Sequence, residues 1–188
     1  MKLNGRLIIF TLVLVLMTTA FKFFLGPNLD WSGFSPVIAI ALFSGMIMRN
    51  RDLSFVLPLL SVLVSDMLIQ VLYTMDLFPY PGFYSGQWLN YLILLIPTLI
   101  GWMLKGKNLG SLFIGALAAP TVFFLVSNFN VWSSNLVSYS KDFDGLMACY
   151  AAGLPFYKNA LIAMFVFLPL IMITYNYIAR YRRQLTLA

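Results

Sequence analysis

Asp66 is the one acid inside a long apolar run of this chain, Leu53–Tyr73. Gln70 and Tyr73 follow it at four and seven residues, on one face of a helix, and Ser61 and Ser65 add a neighbouring polar stripe. Counted from Leu53, the carboxylate lies about 20 Å into a hydrocarbon core of about 30 Å. A carboxylate in lipid is costly, so this face must turn into a bundle or a wet cavity. Two roles fit: a group that contacts a ligand or ion, or a tie that hydrogen-bonds neighbouring helices together.

A second set is Asn128, Asn130 and Trp132, where the fifth apolar run ends. Two amides and a flat indole suit a small organic ligand with a ring and polar edges. They equally suit a helix C-terminus at a membrane interface, where Asn tolerates the left-handed cap and Trp the headgroup level. Trp31, Tyr150 and Phe156 add rings in the adjoining connections. Cys149 sits in Gly145–Leu154, an apolar segment of ten residues, too short to span and bounded by Gly153 and Pro155. That pattern predicts a surface helix or a short re-entrant lid, with Cys149 as a small buried hydrophobe.

Much chemistry is excluded. The chain has no His, no Glu and a single Cys, which removes Ser-His-Asp and Cys-His triads and most transition-metal sites. A single buried Asp offers no acid/base pair, and no Gly-rich Lys-Ser/Thr loop occurs. The expectation is a non-enzyme with no catalytic residue, metal, cofactor or nucleic-acid partner.

The elements that must position these residues follow from composition. Of 188 residues, 61% are hydrophobic and only 10% charged. A soluble domain is about a quarter charged, so this chain belongs in a bilayer, as a single transmembrane domain over residues 1–188. Six spans are predicted: Leu7–Leu25, Phe34–Met48, Leu53–Tyr73, Leu89–Leu104, Leu109–Ser127 and Asn159–Ile178. The second is short and the fourth marginal. With both termini inside, Lys2, Arg6, Arg49, Arg51, Lys105, Lys107, Arg180, Arg182 and Arg183 are cytoplasmic, nine of the twelve basic residues. Lys22, Lys141 and Lys158 are then outside. Lys2 and Arg6 before an apolar run ending in Thr18-Thr19-Ala20 could also open a cleavable signal peptide. Apolar residues resume at Phe21, so an uncut first helix is the reading adopted.

The inner connections are minimal, whereas the outer ones are long and aromatic. They run over Gly26–Gly33, about Thr74–Trp88, and about Asn128–Lys158. Loops of that length are usually functional or disordered, and so many rings argue against disorder. Gly115 and Ala119 form a small-x-x-x-small pair that permits close helix approach, within the bundle or to a partner.

Four strings carry a family resemblance: Phe34-Ser35-Pro36 with Ala39, Ala41-Leu42-Phe43 and Gly45; Pro58-Leu59 with Ser65-Asp66; Phe123-Phe124 with Ser127-Asn128-Phe129 and Val131-Trp132; and Gly145-Leu146 with Cys149-Tyr150 and Pro155-Phe156. They resemble an uncharacterised family of small bacterial membrane proteins, itself similar to the substrate-binding S components of energy-coupling-factor (ECF) vitamin transporters. The resemblance implies an all-α, six-helix ECF S-component-like bundle in the bacterial cytoplasmic (inner) membrane. It also implies a vitamin-like ligand held under the outer loops, and docking on an ECF coupling protein driven by cytoplasmic ATPases. The first span lacks the Ala-x-x-x-Ala motif that S components often carry for that docking; the Gly115/Ala119 face is the alternative.

The functional expectation is therefore a substrate-binding subunit for uptake of a small organic micronutrient. Its site is expected between Trp31, Asp66, Gln70, Asn128, Asn130, Trp132, Tyr150 and Phe156. The competing expectation is a scaffold protein of envelope assembly or cell shape. A transporter should hold a pocket reaching toward Asp66; a scaffold should have filled helix interfaces.

Overall fold

A computed structural model describes residues 5–48, 50–104, 109–134 and 137–180. All secondary structure among the described residues is helical. The chain runs α1 (Gly5–Leu25), a 3-10 turn (Leu29–Trp31), α2 (Val37–Ile47), α3 (Arg51–Thr74), α4 (Gln87–Ile93), α5 (Leu95–Leu104), α6 (Leu109–Ser133) and α7 (Phe143–Arg180). Five segments are long and apolar enough to cross a membrane: α1, α3, α4 with α5, α6 and α7. This is the architecture of a multi-pass membrane protein.

The short apolar run becomes the centre of the fold. α2 has only 11 residues, about 16 Å of helix, and every residue from Ala39 to Met46 is buried. A helix apolar on all sides must be surrounded; here α3, α5, α6 and α7 all pack on it. Contact with α5 is backbone to backbone. A side chain added at Gly45 would strike the Thr98 carbonyl, and one at Gly101 would strike the Leu42 carbonyl. Rings fill the rest: Phe10 and Phe43 pack against Tyr175 at 5.4 and 5.2 Å, and Phe21 against Phe167 at 4.6 Å.

Side-chain contacts fix the direction of each segment. Lys22 joins Asp66 near the C-terminal ends of α1 and α3. The Ser44 hydroxyl donates to the Ser54 carbonyl at 2.6 Å, and the Trp102 indole donates to Ser54 Oγ at 2.9 Å. The end of α2, the start of α3 and the end of α5 therefore meet. At the opposite end of the bundle, Tyr150 OH on α7 donates to the Leu125 carbonyl of α6 at 3.0 Å. The chain reverses at each connection, and α2 runs against both α1 and α3.

Local chemistry explains the boundaries. Asn50 caps α3, its side chain accepting from the N–H groups of Asp52 and Leu53 at 2.9 and 3.4 Å. The helix break at Leu94 lies just before Pro97, whose missing N–H leaves the Ile93 carbonyl without its helical donor.

The expectation for one segment is corrected. Gly145–Leu154 is neither a separate surface helix nor a lid. It is the first part of α7, a helix of 38 residues that continues through Gly153 and Pro155 and is about 57 Å long. Packing overrides the local breakers, because α6 lies along this stretch and Asn128 fills the space beside Gly153. The long loop expected over about Asn128–Lys158 shrinks accordingly: α6 reaches Ser133 and α7 begins at Phe143. The Gly115/Ala119 face is also enclosed. Ala119 is fully buried, and Gly115 faces Leu104 and Leu42 side chains, so the pair serves packing within the chain. Lys2, Arg49, Lys105, Lys107, Arg182 and Arg183 lie outside the described residues.

Candidate functional site

Asp66 has the basic partner that local spacing did not reveal. One carboxylate oxygen pairs with the Lys22 ammonium of α1; the other accepts from Gln87 Nε2 at 2.6 Å and from the Tyr91 hydroxyl. Gln87 also donates to the Gly82 carbonyl at 3.2 Å and accepts from the Tyr84 N–H at 3.0 Å. Gln70 Oε1 accepts from the Phe83 N–H at 3.2 Å. The connection between α3 and α4 thus folds down over α3, with Gly82 seated where any Cβ would strike the Asp66 carbonyl. Asp66 is 3% exposed. Of its two expected roles, this geometry is that of the tie between helices. Tyr73, on the same sequence stripe, is exposed instead.

Asn128, Asn130 and Trp132 lie inside α6, so the expected C-terminal cap conformation is not theirs. The Asn128 amide donates to the Phe124 carbonyl at 2.9 Å, within its own helix, and the Asn128 carbonyl accepts from Cys149 Sγ at 3.4 Å. Tyr150 stands beside Phe124 at 5.6 Å. The Trp132 indole donates to the Ser140 carbonyl at 2.9 Å. Lys141 lies over that indole and donates to the Trp132 and Ser134 carbonyls at the helix end, which suits a cation there. On the other side of the turn, Asp142 caps α7. It accepts from the Gly145 N–H at 2.8 Å and from the Ser140 hydroxyl at 2.7 Å. These bonds hold its carboxyl below the ordinary carboxylate value.

Trp31 and Phe156 belong to a third place. Trp31 packs edge-on to Phe34 at 5.4 Å. Gly33, with φ +86°, lies against the Phe156 backbone, where a Cβ would not fit. The Asn159 amide donates to the Asp30 and Ser32 carbonyls at 2.7 and 2.9 Å, fastening the connection between α1 and α2 to α7. Beside this junction opens a cleft of about 1040 Å³, lined by Leu29 and Asp30 on one wall and by Leu154, Lys158, Ile162 and Phe165 on the other. The eight expected residues therefore divide among three places. Asp66 and Gln70 join the Lys22 network; Asn128, Trp132 and Tyr150 hold the α6–α7 hairpin, with Asn130 on the same part of α6, its backbone carbonyl accepting from Ser133 and Ser134; Trp31 and Phe156 flank the cleft.

Sequence reasoning missed Lys22, Gln87, Tyr91 and Asn159. Lys22 was legible as a basic residue near the end of an apolar run, but its pairing lies 44 residues away. No group of three His, Cys, Asp or Glu able to hold a metal occurs among the described residues.

A family model, DUF6580, a family of unknown function, matches residues 1–185, and the chain belongs to that family. No curated protein and no solved structure matches the chain.

Proposed function

We propose that this DUF6580 member is a membrane-embedded binding subunit of the S-component type, taking up a small organic micronutrient such as a vitamin from the outer side. The observation that carries the reading is the cleft between the first outer connection and α7, about 1040 Å³ in volume, with apolar walls and charged groups at Asp30 and Lys158. Binding sites of small organic ligands have such volumes and this mix of apolar surface with few polar groups. The cleft replaces the Asp66 region as the proposed site.

In this reading α2 is a sixth crossing, completed by the non-helical residues on either side of it. Irregular backbone is tolerated at membrane depth where protein surrounds it. The basic inner connections then put both termini in the cytoplasm of a bacterium, across its inner membrane. Reporter fusions at Asn50, Lys107 and Ala188 should read inside, and those at Tyr80 and Tyr139 outside. Release of cargo inward would draw on an ECF-type coupling protein with cytoplasmic ATPases, since the chain has no phosphate-binding loop.

Native mass spectrometry of protein extracted in mild detergent tests the reading. A retained small organic molecule is the expected result; protein complexes with no small-molecule adduct would contradict it. The scaffold reading is favoured by one observation, the filled Asp66–Gln87–Tyr91 region where a loop-covered pocket was expected.

A further inference from the structure

The cleft has a chemical polarity beyond its size. Ala151, Leu154, Pro155, Lys158, Ile162 and Phe165 recur at three- and four-residue intervals and form one stripe of α7, about 21 Å long. Below Lys158 the stripe is wholly apolar, and Ile162 and Phe165 are half exposed within a membrane-crossing segment. Asp30 and Lys158 are the charged residues of the cleft lining. The Asp30 backbone is anchored at this level of α7, because Asn159, the residue after Lys158, donates to the Asp30 carbonyl at 2.7 Å. Neither the Asp30 carboxylate nor the Lys158 ammonium has an ion-pair or hydrogen-bond partner among the described residues. Pro155 has no N–H, so the Ala151 carbonyl on the same stripe lacks its helical donor. One wall thus offers a carboxylate and the other an ammonium with a spare carbonyl acceptor above it, all over an apolar trough.

We infer that the cargo of this cleft is a zwitterionic amphiphile, its apolar part lying along Leu161–Phe165 and its ammonium and anionic groups meeting Asp30 and Lys158. This inference rests on the binding-subunit reading and specifies its ligand class. Cargo with one charge would leave an unmatched group at the cleft. Cargo without an apolar part would leave the trough to lipid.

The test uses full-length protein in an uncharged maltoside detergent, with dihexanoyl phosphatidylethanolamine as probe and native mass spectrometry as readout. Dihexanoylglycerol, dihexanoyl phosphatidic acid and glycerophosphoethanolamine remove in turn both charges, the cation alone and the chains. The complete probe should bind about tenfold or more tightly than each of the three. Asp30→Asn and Lys158→Gln should each remove about that advantage, while Asp76→Asn, on the second outer connection, should preserve it. Equal binding of all four probes, or indifference to both variants, overturns the inference. A co-purifying adduct that carries no zwitterion overturns the ligand class and leaves the binding reading standing. Absence of any adduct together with probe failure overturns both.

Discussion

Lys22, one turn from the C-terminal end of α1, forms an ion pair with Asp66, two turns from the C-terminal end of α3. The pair links two parallel helices, and through Gln87 and Tyr91 it adds α4 and the connection before it. Four parts of the chain therefore depend on one carboxylate.

That dependence predicts an asymmetry between single and double substitutions. Lys22→Met leaves a buried carboxylate without its cation, a change of about 3 kcal/mol in stability. Asp66→Ala leaves Gln87 and Tyr91 without their acceptor, at about 1–3 kcal/mol. Lys22→Met combined with Asp66→Ala should be less destabilised than the sum of the two single changes, because no charge remains unpaired. Thermal unfolding in detergent measures all of these variants. Strict additivity would mean that the two groups do not interact.

The α2–α5 contact predicts a steric penalty at sites with no polar role. A Cβ at Gly45 or Gly101 meets the backbone of the facing helix, so the helices must separate. Gly45→Ala and Gly101→Ala should each cost about 1–3 kcal/mol. Gly5→Ala is the control, since nothing lies within 4 Å of its added methyl. Unfolding midpoints that are the same for all three would remove the close approach from the account.

Asp142 predicts an acid-sensitive start to α7. The Gly145 N–H and the Ser140 hydroxyl favour the ionised carboxyl, so its folded value lies below the ordinary 3.8. The unfolded chain then takes up its proton first. The stabilisation is complete above pH 3.8 and is lost as pH falls through the lower folded value. Amide exchange in the first turn of α7, corrected for intrinsic rate, should rise at the acid end of a titration from about pH 5 to pH 2. Asp142→Asn should remove that pH dependence; its persistence in the variant would assign it elsewhere.

What was legible in the sequence follows from how local each cause is. α1, α3 and α6 begin where their apolar runs begin, because a run of about 20 residues can satisfy its backbone only as a helix. The second run was visibly short, but what puts α2 in the middle is that it is apolar on every side and must be surrounded. Pro155 and Gly153 misled because local propensity says stop while the neighbouring helix says continue. The Phe124 ring packs against Tyr157 at 4.8 Å, and Thr121 Oγ1 and Tyr157 OH lie 2.8 Å apart, across the predicted break. The candidate site was legible as a set of residue types and not as an assembly. Lys22 to Asp66 and Asn159 to Asp30 are pairings across 44 and 129 residues, which no local periodicity encodes.

A side chain that fills the cleft should displace the small molecule bound there. Leu154 is 54% exposed on the cleft wall, so Leu154→Trp occupies the space without disturbing the core. Leu16→Trp, on the exposed face of α1, is the matched control. The measurement is the fraction of protein carrying the co-purified small molecule in native mass spectra. An adduct is expected on wild type and on Leu16→Trp and is expected to be lost from Leu154→Trp. An adduct retained at full occupancy by Leu154→Trp, or none on any of the three proteins, would contradict binding in the cleft.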